Sequence, residues 1–198
     1  MKIGIDVSQL AYENTGVASF LSKLVINLIE NDSKNQYVLF FSSLRKNFKF
    51  PFGLAQGGQI SNFKSNPNVQ IKKFRIPPTL LNLMWNKLHL MPIENFVGPV
   101  DVFITSDWTE PPAKKAKKAT IIYDLIVYKH PEETHNQTEF NPFKLIISPN
   151  IVSSQKQKLN WVKKESDLVF TISKSSKKDI EEILGIDSSK IKVIYPAV

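Results

Sequence analysis

A strand, a helix and a second strand are predicted within residues 2–41, and this spacing constrains the fold more than any other feature. Residues 2–7, KIGIDV, are a short apolar run, and residues 37–41 are another. The segment between them carries apolar residues at helical spacing, namely Val17, Phe20, Leu21, Leu24, Val25, Leu28 and Ile29. Two strands joined by a helix form a βαβ unit, which implies a parallel sheet.

The same alternation continues to the end of the chain. Further strands are predicted at residues 69–74, 101–105, 120–123, 168–172 and 191–195. Helices are predicted at 79–90 with Thr79 near the N-cap, at 151–166, and at 175–184 with Gly185 just past the end. Residues 8–16, 42–68 and 129–150 are predicted to be mainly loops. The alternation favours a doubly wound α/β fold, a parallel sheet with helices on both faces.

Length and composition narrow the class of protein. The 198 residues fit a single domain over 1–198, and 42% hydrophobic with 22% charged residues is ordinary for a globular chain. The chain has no cysteine, which excludes disulfides and thiolate metal sites, and three scattered histidines argue against zinc. We therefore expect no metal, and no other cofactor is predicted.

The apolar segments are too short for a membrane-spanning helix, and the N-terminal run is broken by Asp6, unlike a signal peptide. A cytoplasmic location is expected. The net charge of +8 is compatible with nucleic acid, anionic lipid or phosphorylated substrates, and equally with a basic surface that has no specific partner.

The first candidate site is the loop before the first helix, where Thr15 and Gly16 lie. Backbone N–H groups at a helix N-terminus attract phosphate or carboxylate, and a glycine allows a ligand to approach closely. The alternative is a glycine needed only for the turn. The chain has neither GxGxxG nor a P-loop motif, so dinucleotide binding is poorly supported.

The second candidate site comprises two strand ends. Tyr123 and Asp124 follow one predicted strand, and Asp107, Trp108 and Glu110 follow another. Ligands collect at the carboxyl ends of parallel strands, so an aromatic ring beside carboxylates suggests a sugar site. Asp124 as a turn cap, and a loop with a partly buried tryptophan, are the alternatives.

Three further segments are basic or apolar, and two of them have two interpretations. Ser173 and Lys174 either border an anion site or belong to a helix cap. The lysines at 114, 115, 117 and 118 are expected on a solvated face. The helix at 79–90, with Trp85 and His89, is either an ordinary core helix or one that lies on an anionic membrane surface.

Three stretches carry a family resemblance. Residues 167–198, DLVFTISKSSKKDIEEILGIDSSKIKVIYPAV, resemble the segment that closes the N-terminal domain of family 4 glycosyltransferases of the GT-B fold. The opening KIGID with GVASFLSKLVINL, and the central DVFITSDWTEPPAKKAKKATIIYDLIVYKHPEE, are similar to the same family. Residues 42–75 and 135–160 do not contribute. The resemblance implies a Rossmann-like domain, the acceptor-side half of a two-domain enzyme.

The resemblance also implies a function. The intact enzyme would be a retaining, metal-independent transferase, mannosyltransferase-like, that moves a sugar from a nucleotide-sugar to a glycan or lipid-linked cell-surface precursor. Asp124 and Tyr123 would be catalytic; Thr15, Gly16, Ser173 and Lys174 would border the donor phosphates; Asp107, Trp108 and Glu110 would face the acceptor. A peripheral location at the inner face of the membrane would fit.

The chain departs from the family pattern in two places. Only Gly16 is clear where the family often has two glycines, and Tyr123 stands where the family often has histidine. Tyrosine is a poor proton carrier near neutral pH, so either the role of this position is altered or the protein works differently there.

The donor-binding features expected of such an enzyme, basic residues on the diphosphate and a Glu-x7-Glu motif, belong to a C-terminal domain that residues 1–198 do not include. We therefore expect this chain alone to be inactive. The alternatives are a non-catalytic module that binds a glycan or a partner, or a subunit of a split transferase. Nucleic-acid binding is not expected, because aromatic and basic residues do not interleave in a recognisable motif.

Overall fold

The computed structural model describes residues 1–48, 66–106, 108–134 and 151–196, and shows one seven-stranded sheet. The strands are β1 (Lys2–Asp6), β2 (Gln36–Ser42), β3 (Val69–Phe74), β4 (Val102–Thr105), β5 (Lys117–Ile122), β6 (Leu168–Thr171) and β7 (Ile191–Val193). Every strand pairs in parallel with its neighbours, in the order β3-β2-β1-β4-β5-β6-β7. The predicted α/β class is confirmed.

The strand order reverses beside β1. Ile3 pairs with Tyr37 of β2 on one side and with Val102 of β4 on the other. The chain leaves β1 towards β2 and β3, then crosses back to β4 and continues in the opposite direction. A crevice forms at the carboxyl ends of the strands where such a reversal occurs, and this is where ligands bind in open α/β sheets.

Helices of different lengths connect the strands. They are α1 (Gly16–Asn31), α2 (Pro78–Leu81) continuing as a π-helical segment (Asn82–Lys87), α3 (Glu94–Val97), α4 (Ile126–Lys129), α5 (Ile151–Glu165) and α6 (Lys174–Asp179) continuing as a second π-helical segment (Ile180–Leu184). Short 3-10 turns lie at Ser8–Ala11, Pro131–Thr134 and Ser188–Lys190. Gly185 ends the last helical segment at φ 62, the left-handed position that glycine adopts without strain.

Alternate residues of the strands face opposite layers. Tyr37, Leu39 and Phe41 pack in the cluster that contains α1, together with its buried Leu21, Val25 and Ile29. Val38 and Phe40 point to the other face, where Trp85 is fully buried. Since strand side chains alternate between faces, this pattern shows helices on both sides of the sheet. The predicted stripe of α1 therefore faces the core.

The predicted helix at 79–90 differs from the observed one. Thr79 is not the N-cap: Pro77 occupies that position and Pro78 is the first helical residue, which suits a residue without an N–H. The helical conformation ends at Lys87 rather than Leu90, and His89 and Met91 have φ of 51 and 60. The predicted loop at 8–16 is partly helical, because Ser8–Ala11 forms a buried 3-10 turn.

The other predicted helices agree closely with the structure. The segments predicted at 151–166 and 175–184 correspond to Ile151–Glu165 and Lys174–Leu184. Of the loops predicted over 42–68 and 129–150, the parts at 49–65 and 135–150 lie outside the described residues. The start of the second is helical rather than a loop, because Lys129 ends a short helix and Pro131–Thr134 forms a 3-10 turn. Among the described helices, none is both long and apolar enough to cross a membrane.

Candidate functional site

A cavity of about 550 Å³ opens at the carboxyl ends of β1, β4 and β5, beside the strand reversal. Apolar side chains of β5 and α5, including Ile121 and Leu159, form part of its wall. Polar groups enter from Gln9, Ser106 and Gln155. An apolar wall with a few convergent polar groups, at this volume, is typical of a small-molecule site.

Four of the predicted site residues line this cavity together. They are Thr15, Trp108, Tyr123 and Asp124, which come from three separate loops. A second cavity of about 560 Å³ lies along α1 and shares Val17, Tyr123 and Asp124 with the first. Gly16 lines this second cavity. Asp107 lies outside the described residues.

The loop that carries Trp108 is held by Asn86, which bonds to the backbone of Trp108 and of Glu110. The Asn86 amide Nδ2 donates to the carbonyl of Trp108 at 2.9 Å, and the Glu110 N–H donates to Asn86 Oδ1 at 2.9 Å. Asn86 is 2% exposed, whereas Trp108 is 40% exposed. One buried amide thus fixes the loop that presents an exposed indole at the cavity.

The carboxylate of Glu110 lies in the core below that loop. Thr105 Oγ1 donates to Glu110 Oε2 at 2.7 Å, and Lys118 Nζ lies 3.1 Å from Glu110 Oε1. Glu110 is fully buried. Its observed contacts are therefore with neighbouring strands, and they anchor the loop that carries Trp108.

Lys118 corrects the expectation that all four clustered lysines are solvated. Its side chain is 5% exposed and its Nζ lies between Glu110 and Glu165, 2.9 Å from Glu165 Oε2. Lys117 remains exposed and pairs with Asp167. Alternate residues of a strand point to opposite faces, so neighbouring lysines have opposite environments.

His89 extends this charged network to the surface. Its Nδ1 lies 2.8 Å from the Trp85 carbonyl and its Nε2 lies 2.8 Å from Glu165 Oε1, while Trp161 stacks on the ring at 3.6 Å. Burial alone would raise the pKa of Glu165, but the Lys118 ammonium and His89 outweigh burial and lower it. The Glu165 carboxylate is therefore held in its charged form.

Asp124 both caps a turn and lines the cavity. Its Oδ1 accepts the N–H of Ile126 at 3.1 Å, and its side chain is exposed. Tyr123 packs edge-on against Phe20 at 5.7 Å, and its carbonyl accepts from Ser176 Oγ. Asp124 can therefore be a turn cap and a cavity residue at the same time.

Gly16 is the first residue of α1, and Thr15 is its N-cap. Thr15 Oγ1 accepts the N–H of Ala18 at 3.1 Å. A Cβ at Gly16 would meet nothing within 4 Å, and the left-handed residue of the loop is Asn14 at φ 68. The turn therefore does not require a glycine at position 16.

Ser173 and Lys174 lie at the start of α6, after β6. Ser173 Oγ accepts the N–H of Ser176 at 3.0 Å, so Ser173 is a helix N-cap. Lys174 is exposed. Ser173 is thus a helix cap. The bond from Ser176 Oγ to the Tyr123 carbonyl connects the start of α6 to a residue that lines both cavities.

Lys158 was not predicted as a site residue, yet it lines the first cavity and is 4% exposed. Ser154, Lys158 and Val162 are four residues apart and form the buried face of α5. A lysine on the apolar side of a predicted helix is the signal in the sequence that identifies it.

Comparison with known proteins adds no family assignment. No protein-family model matches the chain, and no significant match exists among curated proteins. Within the described residues, acidic and histidine side chains form no cluster that could hold a metal ion.

Proposed function

We propose that this chain is the N-terminal, acceptor-side domain of a retaining family 4 glycosyltransferase of the GT-B fold. The observation that carries the proposal is the first cavity, because Thr15, Trp108, Tyr123 and Asp124 come together at the strand reversal. Such a reversal is where α/β sheets bind ligands. The resemblance in residues 167–198 supplies the reaction class.

The side chains at the cavity suit a sugar. Trp108 offers an exposed indole face on which a pyranose can stack, and its loop is fixed by Asn86. Asp124 offers a carboxylate oxygen to sugar hydroxyls, and the Tyr123 phenol can both donate and accept. A rigid aromatic platform beside hydroxyl-binding groups would orient an acceptor with little loss of conformational entropy.

The donor would approach from the N-terminus of α1. The backbone N–H of Gly16 would face the donor diphosphate, while Ser173 and Lys174 border the cleft. In a retaining transfer, the bond from the anomeric carbon to the phosphate oxygen breaks and the acceptor oxygen bonds on the same face. The acceptor proton leaves with the phosphate, and no metal is required in this proposal.

The transfer assay uses the full coding sequence that contains this chain, with radiolabelled nucleotide-sugars and a cell-envelope acceptor extract. We expect sugar transfer, and we expect Trp108→Ala to raise the acceptor KM. The purified 198-residue chain should give no transfer. Transfer by the 198-residue chain alone would overturn the expectation that this domain is inactive without a donor-binding domain. If the protein from the full coding sequence transferred no sugar from any nucleotide-sugar, the assignment to glycosyltransferases would be overturned.

We further propose that an apolar ridge, formed by the helical segment after β3 and by the residues that directly follow it, contacts an anionic membrane surface. The ridge consists of Leu80, Leu83, Leu88, Leu90 and Met91, each between 44% and 56% exposed. Lys87 lies within it and is exposed, and the chain carries a net charge of +8. Exposed leucines beside a cation suit the boundary between acyl chains and anionic headgroups.

Vesicle flotation tests the ridge. We expect the protein to float with phosphatidylglycerol vesicles and the double variant Leu88→Ser, Leu90→Ser to lose most of that binding. Leu44→Ser is the matched control, because Leu44 is 53% exposed outside the ridge. Equal flotation of both variants and the wild type would contradict the ridge as the contact.

A further inference from the structure

We infer that the carboxyl ends of β2 and β3 bind a polyanionic glycan, as the part of the acceptor that extends out of the first cavity. This inference rests on the proposed sugar site, because it names the chemistry of the acceptor that would reach that site. Its basis is a group of exposed basic side chains, which we name the basic edge: Arg45, Lys46, Lys73 and Arg75.

The net charge of the chain is concentrated in one segment. Residues 33–93 contain nine lysine and arginine residues and no aspartate or glutamate, whereas the rest of the chain is nearly neutral. Both β2 and β3 lie within this segment. A surface built from it has positive charge without carboxylates nearby in the sequence, which favours an anionic partner.

The pairing of β2 with β3 brings the basic residues to one place. Ser42, the last residue of β2, pairs with Phe74, the last residue of β3. The Ser43 N–H donates to the Phe74 carbonyl at 3.1 Å, so the two strands also end side by side. Basic residues flank Phe74 directly and begin three positions after Ser42. All four therefore lie at the carboxyl edge of the sheet.

Local contacts hold the loop after β2 against β3. The Lys46 N–H donates to Ser43 Oγ at 3.1 Å. Phe48 packs edge-on against a phenylalanine of β2, with ring centroids 5.0 Å apart. Lys73 Nζ of β3 lies 5.5 Å from the centroid of the same Phe48 ring. The contributions of the two strands to the basic edge are thus close to one another.

The cations of the basic edge have no carboxylate partner among the described residues. Other surface lysines differ, since Lys117 and Lys129 lie 3.1 and 3.0 Å from Asp167 and Asp179. Cations without a counterion in the protein add to the field outside it, which extends over about 8 Å at physiological ionic strength. An anionic ligand would meet this field without displacing an internal ion pair.

The basic edge continues the rim of the first cavity. The Ser42 N–H donates to Ser8 Oγ at 3.0 Å, and the 3-10 turn Ser8–Ala11 carries Gln9, which lines the cavity. Neighbouring strands lie about 4.8 Å apart, so β3 is on the order of 10 Å from β1. An acceptor with one end in the cavity and several further sugar units would therefore pass over the basic edge.

Repeated anionic groups suit this surface better than a single anion. Each exposed cation contributes little alone, whereas four cations on two adjacent strands act together on a chain of charges. Carboxylates and phosphates along a glycan have this arrangement. Nucleic acid and anionic lipid also carry repeated charges, so the experiment includes both as competing ligands.

The test measures binding of labelled oligosaccharides to the 198-residue protein by fluorescence anisotropy. The probes are oligogalacturonate, poly(glycerol phosphate) and neutral dextran of similar length. We expect the two polyanions to bind, dextran to bind more weakly, and the difference to shrink as salt is raised. The double variant Lys46→Gln, Lys73→Gln should weaken polyanion binding by roughly tenfold, since two ionic contacts are lost.

The matched control is the double variant Lys115→Gln, Lys192→Gln. Both lysines are exposed, they lie before β5 and in β7, and their loss changes the net charge equally. This control should bind polyanions like the wild type, and so should Lys46→Arg, Lys73→Arg. Circular dichroism checks folding, and Arg45→Gln, Arg75→Gln replaces the first double variant if that one is not folded.

The outcomes separate this inference from the proposed function. Equal weakening by the basic-edge and control variants would show an effect of net charge alone and would overturn the inference. If the basic-edge variant loses binding to phosphatidylglycerol vesicles or single-stranded DNA but not to the polyanionic glycans, the partner is wrong.

The cavity provides the remaining comparison. Trp108→Ala should also weaken the polyanions, because one end of the acceptor occupies the first cavity; unchanged binding would contradict the acceptor role. If hexoses bind in the cavity and no polyanion binds, the sugar site stands and the inference fails. If polyanions bind as expected but the full coding sequence transfers no sugar, only the transferase proposal fails.

Discussion

At the scale of single residues, buried polar side chains fix the loop after β4. Asn86 bonds to the backbone at Trp108 and at Glu110, and its Nδ2 also donates to Asn82 Oδ1 at 2.8 Å. Lys118 joins Glu110 to Glu165. Apart from the Asn86–Asn82 bond, these contacts join residues of different elements, so local periodicity could not predict them. The sequence does place Trp108 at a strand end, where the structure finds it.

Replacing Asn86 with alanine should loosen this loop. Asn86→Ala leaves the Trp108 carbonyl and the Glu110 N–H without their partner, and each unsatisfied buried group costs about 1–3 kcal/mol. We expect the free energy of unfolding in urea to fall by about 2–4 kcal/mol and the indole resonance of Trp108 to broaden. Asn95→Ala is the control, since Asn95 is exposed. Equal stability of the two variants would contradict the conclusion that Asn86 fixes the loop that carries Trp108.

Lys118 and Lys117 are adjacent lysines, one buried and one exposed, so substituting each measures how much a buried charge contributes to the free energy of unfolding. Lys118→Met leaves the fully buried Glu110 without its cation, which should cost about 3–5 kcal/mol of unfolding free energy. Lys117→Met removes an exposed pair and should cost less than about 1 kcal/mol.

The double variant Lys118→Met, Glu110→Gln checks the cause. It removes both charges, so it should recover part of the loss in unfolding free energy measured by urea denaturation. If Lys118→Met costs no more than Lys117→Met, the buried network does not stabilise the fold.

At the scale of elements, most helices and strands follow from periodicity, but their ends and internal geometry do not. The apolar stripe of α1 predicts its buried face, and Gly185 predicts the end of the last helix. The π-helical segment Asn82–Lys87 was not predicted, because Trp85 is positioned by packing against the sheet and Asn86 by its bond to the loop after β4. Propensity carries no information about such contacts.

The start of α1 offers a test of the donor-side proposal. Gly16→Ala adds a methyl group into open space at an ordinary φ, so the free energy of unfolding should rise by about 0.4–1 kcal/mol. The same methyl group should weaken nucleotide-sugar binding by the full coding sequence, measured by calorimetry, if a diphosphate approaches the Gly16 N–H. Unchanged binding in a stabilised variant would exclude this approach.

The Glu94 carboxylate of α3 predicts that the stability of the protein falls in acid, through contacts at the amino-terminal end of β5. Glu94 Oε1 accepts the N–H groups of Lys114, Lys115 and Ala116 at 2.8–3.1 Å. Burial alone would raise the pKa of Glu94, but these N–H donors outweigh burial and lower it from 4.5. The stabilisation is therefore present above the unfolded-state pKa and is lost as pH falls through the lower folded-state pKa.

Glu94→Gln measures this contribution. At neutral pH the variant should have a free energy of unfolding lower by about 1–3 kcal/mol, because an amide cannot replace a carboxylate that accepts several N–H groups. The difference from wild type should shrink as pH falls below 4.5. Glu30→Gln, at an exposed position of α1, serves as the control. A difference independent of pH would contradict the role of the Glu94 charge.

At the scale of the whole molecule, the order of strands explains why distant loops meet. The alternation of elements in the sequence predicts a parallel sheet, and the structure confirms it with the reversal beside β1. Loops after β1, β4 and β5 therefore share one edge, which brings together Thr15, Trp108 and Tyr123. Lys158 reaches the same cavity from α5, whose direction no local pattern specifies. The sugar-transfer function remains a prediction that this geometry supports.

Chemical-shift mapping of the 198-residue protein with hexoses and hexose phosphates tests the sugar site most directly. We predict saturable shifts concentrated at Thr15, Trp108, Tyr123 and Lys158, and loss of these shifts in Trp108→Ala. Leu44→Ser should give the wild-type pattern, because Leu44 is exposed and does not line the cavity. Shifts confined to the apolar ridge, or no saturable shift with any sugar, would contradict a sugar site at the carboxyl edge of the sheet.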